Sequence, residues 1–349
     1  MHLRFALLIL LFLSSSLAFA QPGGENSFQF LNMVSSARIA ALGGNQIAVR
    51  DRDPNLGYYN PSLLNEDMHG MVALNYVNYF AGINYGFANY VHHHDELNTT
   101  FSGGIQYVNY GKFTEIDAAG TEIGEFSAGE YVINMGAGHQ LDTNWSIGAN
   151  LKLIYSNLAY YNSFGAAIDV SATYFNEDNG WGFASVIRNV GYQFKSYVQQ
   201  NREHLPFDMQ IGVSKKLKHA PLRFSLIGTN LNRPNIQYFE EEEPTIDPFT
   251  QELIEPETPG IGDNIFRHII ANAELLLTKN FHLQAGFNYR RRQELKVHER
   301  PGMVGFSWGF MVQIKKFQLS YGRAAYSLAG ASNHISITIN PGAFHKKEK

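Results

Sequence analysis

The sequence predicts an all-β fold: a transmembrane β-barrel of about fourteen antiparallel strands, in which lipid-facing and lumen-facing residues alternate, with an N-terminal segment in the lumen. Three observations predict it. Apolar and polar residues alternate with period two from Met71 almost to the C-terminal end. Many of these segments exceed the roughly six residues of a soluble strand. The connections between them alternate between short and long.

The chain opens with a charged patch, Met1-His2-Leu3-Arg4, followed by an apolar run from Phe5 to Leu13 and then Ala18-Phe19-Ala20, which places small residues at −1 and −3. This three-part pattern predicts a secretory signal peptide over residues 1–20, cleaved before Gln21. The apolar run is too short for a membrane helix, which needs about 20 apolar residues. The remaining boundaries follow from the pattern: an N-terminal segment or plug over 21–70, the barrel over 71–340 and a tail over 341–349.

Composition narrows the function classes. With 0 Cys, the chain has neither a disulfide framework nor a thiolate metal site. A net charge of -4 argues against a nucleic-acid partner. Aromatic residues at 13%, with 19 Tyr and 25 Phe, suit the girdles a barrel places at the two membrane interfaces. The alternating segments are 71–79, 83–90, 99–114, 124–141, 144–158, 162–175, 181–190, 207–217, 222–231, 268–277, 281–290, 303–314, 317–326 and 333–339. Many match the roughly ten residues a tilted strand needs to cross a bilayer.

With Met71 running outward, the inner turns fall at 92–98, 142–143, 176–180, 218–221, 278–280 and 315–316. Nearly all are tight and rich in Asn, Asp, Gly or Pro. The outer connections, at 115–123, 191–206, 232–267 and 291–302, are long. Outer-membrane barrels sort their loops this way, whereas a soluble sandwich or propeller has no reason to. The even strand count together with the loop-length asymmetry predicts that both termini face the periplasm.

The most distinctive text precedes the barrel. Phe28-Gln29-Phe30-Leu31 leads into Ser35-Ser36-Ala37-Arg38-Ile39-Ala40-Ala41-Leu42-Gly43-Gly44, and Asn60-Pro61-Ser62-Leu63-Leu64 follows a polar stretch. Small residues permit close backbone packing, Gly43-Gly44 permits a tight bend, and Asn60-Pro61 signals a turn. The physical reading is a compact segment folded into or across the lumen.

On these residues the chain resembles the FadL-like barrels of the Bacteroidetes, in particular the PorQ type of the type IX secretion system, to which the PorV barrels are related. The resemblance runs over essentially the whole mature chain. It implies a non-catalytic barrel in an attachment complex with a PorZ-like surface protein and with PorU and PorV, which joins secreted cargo to anionic lipopolysaccharide. The catalytic member of such a complex is a cysteine-protease-like sortase, and a chain with 0 Cys cannot supply that nucleophile. The competing expectation is a FadL-like transporter of hydrophobic small molecules with a lateral opening, for which Gly103-Gly104 and the Gly136/Gly138 pair are the candidates.

Other features have plainer readings. His92-His93-His94 is read as part of a turn, because adjacent side chains of an extended segment point to opposite faces and converge poorly on one metal ion. Glu240, Glu241, Glu242, Glu243 and Asp247 lie in the outer connection 232–267, which its prolines and charge keep from forming helix or strand. That connection is read as a solvated loop or a partner-docking loop. Arg290, Arg291, Arg292, Lys296 and Arg300 are read either as salt-bridge partners for that loop or as contacts to lipopolysaccharide phosphates. No H-E-x-x-H motif is present, and no cofactor is expected.

Overall fold

The computed structural model describes residues 26–198, 202–237, 245–246, 253–254, 260–296, 302–327 and 330–344. The signal peptide expected at 1–20, Glu240, Glu241, Glu242, Glu243 and Asp247 of the acidic connection, and Arg300 of the basic one lie outside the described residues.

The alternation read in the sequence becomes a wall one residue thick. The strands are β1 (Val72–Asn78), β2 (Asn84–His94), β3 (Thr99–Ile116), β4 (Glu122–Gln140), β5 (Trp145–Leu158), β6 (Tyr161–Asn176), β7 (Trp181–Lys195), β8 (Asp208–Lys216), β9 (Leu222–Gly228), β10 (Thr245–Ile246), β11 (Leu253–Ile254), β12 (Ile269–Thr278), β13 (Phe281–Asn288), β14 (Phe306–Ile314), β15 (Phe317–Ser327) and β16 (Gly330–Ile339). Fourteen of them form a closed antiparallel barrel in which β9 pairs with β12 and β1 seals against β16 through Val72↔Ile339 to Asn78↔Asn333. Closure removes the sheet edges that an open sheet would leave in lipid. β10 and β11 form a separate hairpin inside the connection between β9 and β12.

Along β1, Ala73, Asn75 and Val77 are buried and Leu74 and Tyr76 are exposed. Outward residues of other strands, such as Ile105, Ile133, Phe183 and Ile211, are likewise large and apolar. Inward residues are mostly small or polar, including Ser102, Gln106, Asn134, Asn150, Ser214 and Asn272. A one-residue slip of any strand would turn the apolar set inward, which fixes the register. This closed, apolar-sided barrel is an outer-membrane fold.

Several local expectations need correction. His92, His93 and His94 lie on β2, and only Asp95–Leu97 and Asn98 form the turn. The connection expected at 115–123 is a tight turn, Asp117 N donating to Thr121 O at 2.9 Å, because β3 and β4 run on past the rim. The connection 232–267 contains the β10–β11 hairpin and a helix, Ile261–Arg267, where its composition argued against both. Likewise Tyr289–Leu295 is helical, where the sequence reads as strand over 281–290 and as a long connection over 291–302, with the Asn288 side chain capping it by accepting from Arg291 N. The alternation therefore marks the membrane strands well and the loop interiors poorly.

The start of the described N-terminal segment also differs from expectation. Ser27 N donates to His204 O at 3.0 Å, and His204 lies in the connection after β7, on the side of the long loops. The N-terminal segment thus starts at the outer mouth, descends through the lumen and enters β1 from the periplasmic end. The even strand count puts the β1 entrance and the β16 exit on the same side, but does not set where the segment ahead of β1 begins.

Candidate functional site: a segment pinned in the lumen

Irregular backbone inside a barrel carries N–H and C=O groups that no neighbouring strand satisfies, and leaving them buried and unpaired costs free energy. The wall supplies the partners. Asn89 Nδ2 donates to Pro54 O at 3.0 Å, Asn150 Nδ2 to Gly57 O at 3.0 Å, Asn272 Nδ2 to Leu42 O at 3.3 Å and Asn288 Nδ2 to Gly43 O at 3.2 Å. Ser146 and Ser214 hydroxyls donate to Ser62 O and Ala48 O, both at 2.7 Å, and Ser336 Oγ accepts from Ala37 N at 2.9 Å. Val34–Gly43 and Asp53–Asn65 are buried without a break.

The wall also makes room. A Cβ placed on Gly322 would lie 2.0 Å from Ala37 O, one on Gly286 2.2 Å from Gly43 N, and one on Gly148 2.4 Å from Pro61 C. These positions are glycine because segment backbone passes directly over them. Gly138 belongs to the same set, 2.5 Å from Pro61 O, and Gly136 faces Asn150 and Ser102. The Gly136/Gly138 pair thus shapes the seat of the plug. Gly103 has open space around it.

The family-like residues lie in this contact. Ser36 precedes helix α1 (Ala37–Ala41), whose Ala37 and Ala41 pack on Gly322 and Gly309. Gly43 and Gly44 adopt φ of 84° and 101°, the left-handed region that L side chains rarely occupy, and let the chain turn after α1. Asn60, which follows helix α2 (Leu56–Tyr59), accepts from Ser62 N at 3.0 Å and donates to Ile47 O at 2.7 Å and Thr173 Oγ1 at 3.0 Å. Pro61 starts the 3-10 turn that sits over Gly138 and Gly148.

Arg38 anchors a buried ion network. Its guanidinium grips Asp51 with two hydrogen bonds of 2.6 and 2.9 Å and donates through Nε to Glu274 at 3.0 Å. Asp53 lies 3.4 Å away. Arg223 on β9 closes the ring, donating to Glu274 at 2.6 Å and to Asp51 at 3.2 Å. Two cations and three carboxylates thus tie the segment to β9 and β12. The motif revealed Arg38, whereas Asp51, Asp53, Arg223 and Glu274 were missed. The available signal was a charge at an inward position of β9 and another at one of β12.

Nearer the outer side, Lys152 pairs with Asp169 at 2.7 Å, both side chains fully buried. β7 bulges at this level, opposite Asp169, and Asn189 takes φ 57°. Asn189 accepts from Lys152 at 2.9 Å and donates to Pro206 O at 2.9 Å, tying the following loop to the wall. Above it an apolar cluster of Phe28, Phe30 and Leu31 with Tyr85, Val108, Val132, Ile154 and Leu205 lies beside buried polar side chains, Glu130, Ser156, Ser163 and Gln193.

The basic residues do not form one surface. Arg291 is buried, over the Tyr326 ring at 4.1 Å, with Nη2 donating to the Tyr326 hydroxyl at 3.2 Å. That geometry removes it from the set facing a lipid phosphate. Arg292 donates to Gly302 O at 2.8 Å within its own loop. Arg290 is partly exposed and lies 3.6 Å from Glu294, and Lys296 is half-buried. Among the described residues no group of three or more His, Asp or Glu side chains is placed to hold a metal ion.

No family model matches the chain, and no curated protein does. Solved structures do. The toluene transporter TbuX of Ralstonia pickettii aligns with 89% of this chain and 98% of its own at 10% identity, with a TM-score of 0.50. A FadL homologue of Pseudomonas aeruginosa aligns with 89% and 98% at 9% identity and a TM-score of 0.47, and the toluene transporter TodX of Pseudomonas putida with 87% and 96% at 12% and 0.45. At such identities the likeness is one of fold: a FadL-like outer-membrane barrel.

Proposed function

We propose that this chain is a non-catalytic outer-membrane platform, a PorQ-like barrel that anchors a PorZ-like surface protein, with PorU- and PorV-like partners, in a complex linking secreted cargo to lipopolysaccharide. The observation that carries this reading is the locked lumen. A five-residue ion network, wall hydrogen bonds and fitted glycines hold the segment in place, which suits a permanent seal better than a gate. The N-terminal motif supports it by resemblance. Deleting the barrel from its cell should release surface cargo into the medium and leave uptake of hydrophobic solutes unchanged.

A second reading is transport of hydrophobic small molecules. The solved structures of similar fold lean this way, being toluene transporters and a FadL homologue. The apolar cluster around Phe28 and Phe30 in the outer half of the lumen is compatible with such a ligand. So is an apolar groove of about 720 Å3 on the barrel wall, lined by Trp145, Tyr174, Phe183, Ile211, Leu226 and Ile265 among others. Loss of hydrophobic uptake with cargo retained on the surface would put this reading in place of the first.

A further inference from the structure

β3 and β4 leave the barrel together. The pairing of β2 with β3 ends at Asn84↔Asn109, whereas β3 and β4 stay paired as far as Ile116↔Glu122. On the other side, β5 pairs with β4 only from Leu158↔Ala128. A bulge between Asn109 and Gly111 marks the departure. What projects is a two-stranded ribbon, with about 20 Å of β3 beyond its last contact with β2 at roughly 3.3 Å per residue. A Cβ added at Gly111 or Gly120 would meet no atom within 4 Å.

Such a ribbon is costly to leave bare. Two-stranded ribbons are marginal on their own, and an unpaired edge presents a row of N–H and C=O groups to any extended chain. Natural edges are commonly blunted by proline, lysine or a cover. Residues 110–127 contain no proline and a single lysine, Lys112, which is paired with Glu125 at 3.0 Å. They expose Phe113 at 42%, Ile116 at 58% and Ile123 at 59%, and Phe113 stacks on Phe126 with centroids 5.3 Å apart. One lysine stands against four carboxylates, Glu115, Asp117, Glu122 and Glu125. The ribbon thus combines a free backbone edge, apolar side chains above the membrane and a net negative charge.

We infer that the free edge of β3 at Lys112–Ile116 is a docking site for an extended, net-basic polypeptide segment of a surface protein, which adds to the ribbon as a further strand. Backbone hydrogen bonds would give affinity, and alternate side chains would meet Phe113 on one face and the carboxylates around the ribbon. This deepens the platform reading and rests on it, since it says where a partner engages.

The test uses the full-length barrel in nanodiscs and a labelled heptapeptide alternating lysine and valine, followed by fluorescence anisotropy. The peptide should bind. Two changes should each weaken binding at least about tenfold, as expected where main-chain pairing gives affinity: N-methylating alternate peptide residues, and replacing residues 112–127 by a two-residue Asn-Gly turn that closes on the Gly111↔Ala128 pair. If the shortened barrel fails to fold, Glu122→Lys with Glu125→Lys provides the second variant and should weaken binding through charge alone. Equal binding of the N-methylated peptide, or unchanged binding by these variants, overturns the proposal. So does ribbon-dependent binding of lipopolysaccharide micelles in place of the peptide. In cells the two readings separate. If barrel deletion leaves surface cargo in place, the platform fails. If deletion releases cargo and ribbon shortening does not, only the ribbon assignment fails.

Discussion

Adding one methyl group to the wall should displace the plug while sparing the barrel. Gly148, Gly286 and Gly322 sit under different parts of the segment, and a Cβ at each would approach backbone atoms within 2.4, 2.2 and 2.0 Å. Backbone cannot swing aside as a side chain can, so either the segment or the strand must shift. Overpacking of this kind costs about 1–3 kcal/mol per site. The three sites contact different parts of the segment, so their costs should add to roughly 3–9 kcal/mol. That matches or exceeds the 3–5 kcal/mol typical of losing one partner of a buried ion pair. Alanine is itself tolerated in strands, so Gly148→Ala, Gly286→Ala and Gly322→Ala together should insert as a folded barrel and raise planar-bilayer conductance above wild type. Gly103→Ala, where nothing lies within 4 Å, is the silent control. A triple variant that folds, stays non-conducting and protects residues 28–64 from protease as well as wild type would refute the pinned-plug account.

Three further outcomes follow from named contacts. Arg38→Met leaves Asp51, Asp53 and Glu274 short of a cation and should destabilise the seated segment by about 3–5 kcal/mol in urea unfolding, whereas Arg38→Met with Glu274→Met should lose less than the sum of the singles. An epitope tag placed just before Asn26 should be labelled on intact cells, because Ser27 is bonded to His204 at the outer mouth; labelling only after permeabilisation contradicts the path of the segment. In the outer helix α3 (Ile261–Arg267), burial works against the Asp263 carboxylate, but hydrogen bonds from Arg267 and Tyr289 outweigh it and hold its pKa below 3.8. Its contribution is therefore complete above that value and lost as pH falls through the lower folded-state pKa, so Asp263→Asn should loosen the 232–267 connection to protease at neutral pH, as wild type does only in acid.

The barrel was legible because lipid imposes a strict rule: every second residue of a spanning strand must be apolar and every backbone group paired. Ile105, Ile133 and Ile211 carry that signal in plain alternation. The seat of the plug was only partly legible. Gly43-Gly44 and Asn60-Pro61 announce bends, but which wall residues meet them depends on register and barrel curvature, which set Gly286 under Gly43 and Gly148 under Pro61. Arg223 and Glu274 become partners across β9 and β12 because Arg223↔Glu274 is a register pair, although 51 positions separate them in sequence. Loop length misled at 115–123, which reads in sequence as a long outer connection, whereas continued pairing between β3 and β4 makes a ribbon. Charge also misled at Arg291, whose stem and guanidinium find Tyr326 inside the barrel.

The most direct measurement is native mass spectrometry of the barrel purified by affinity tag from gently solubilised outer membranes of its own cell. The sealed-platform account predicts a stoichiometric surface-exposed protein partner and no small molecule in the lumen. A barrel that emerges alone with one hydrophobic ligand bound among Phe28, Tyr85 and Val132 would contradict it.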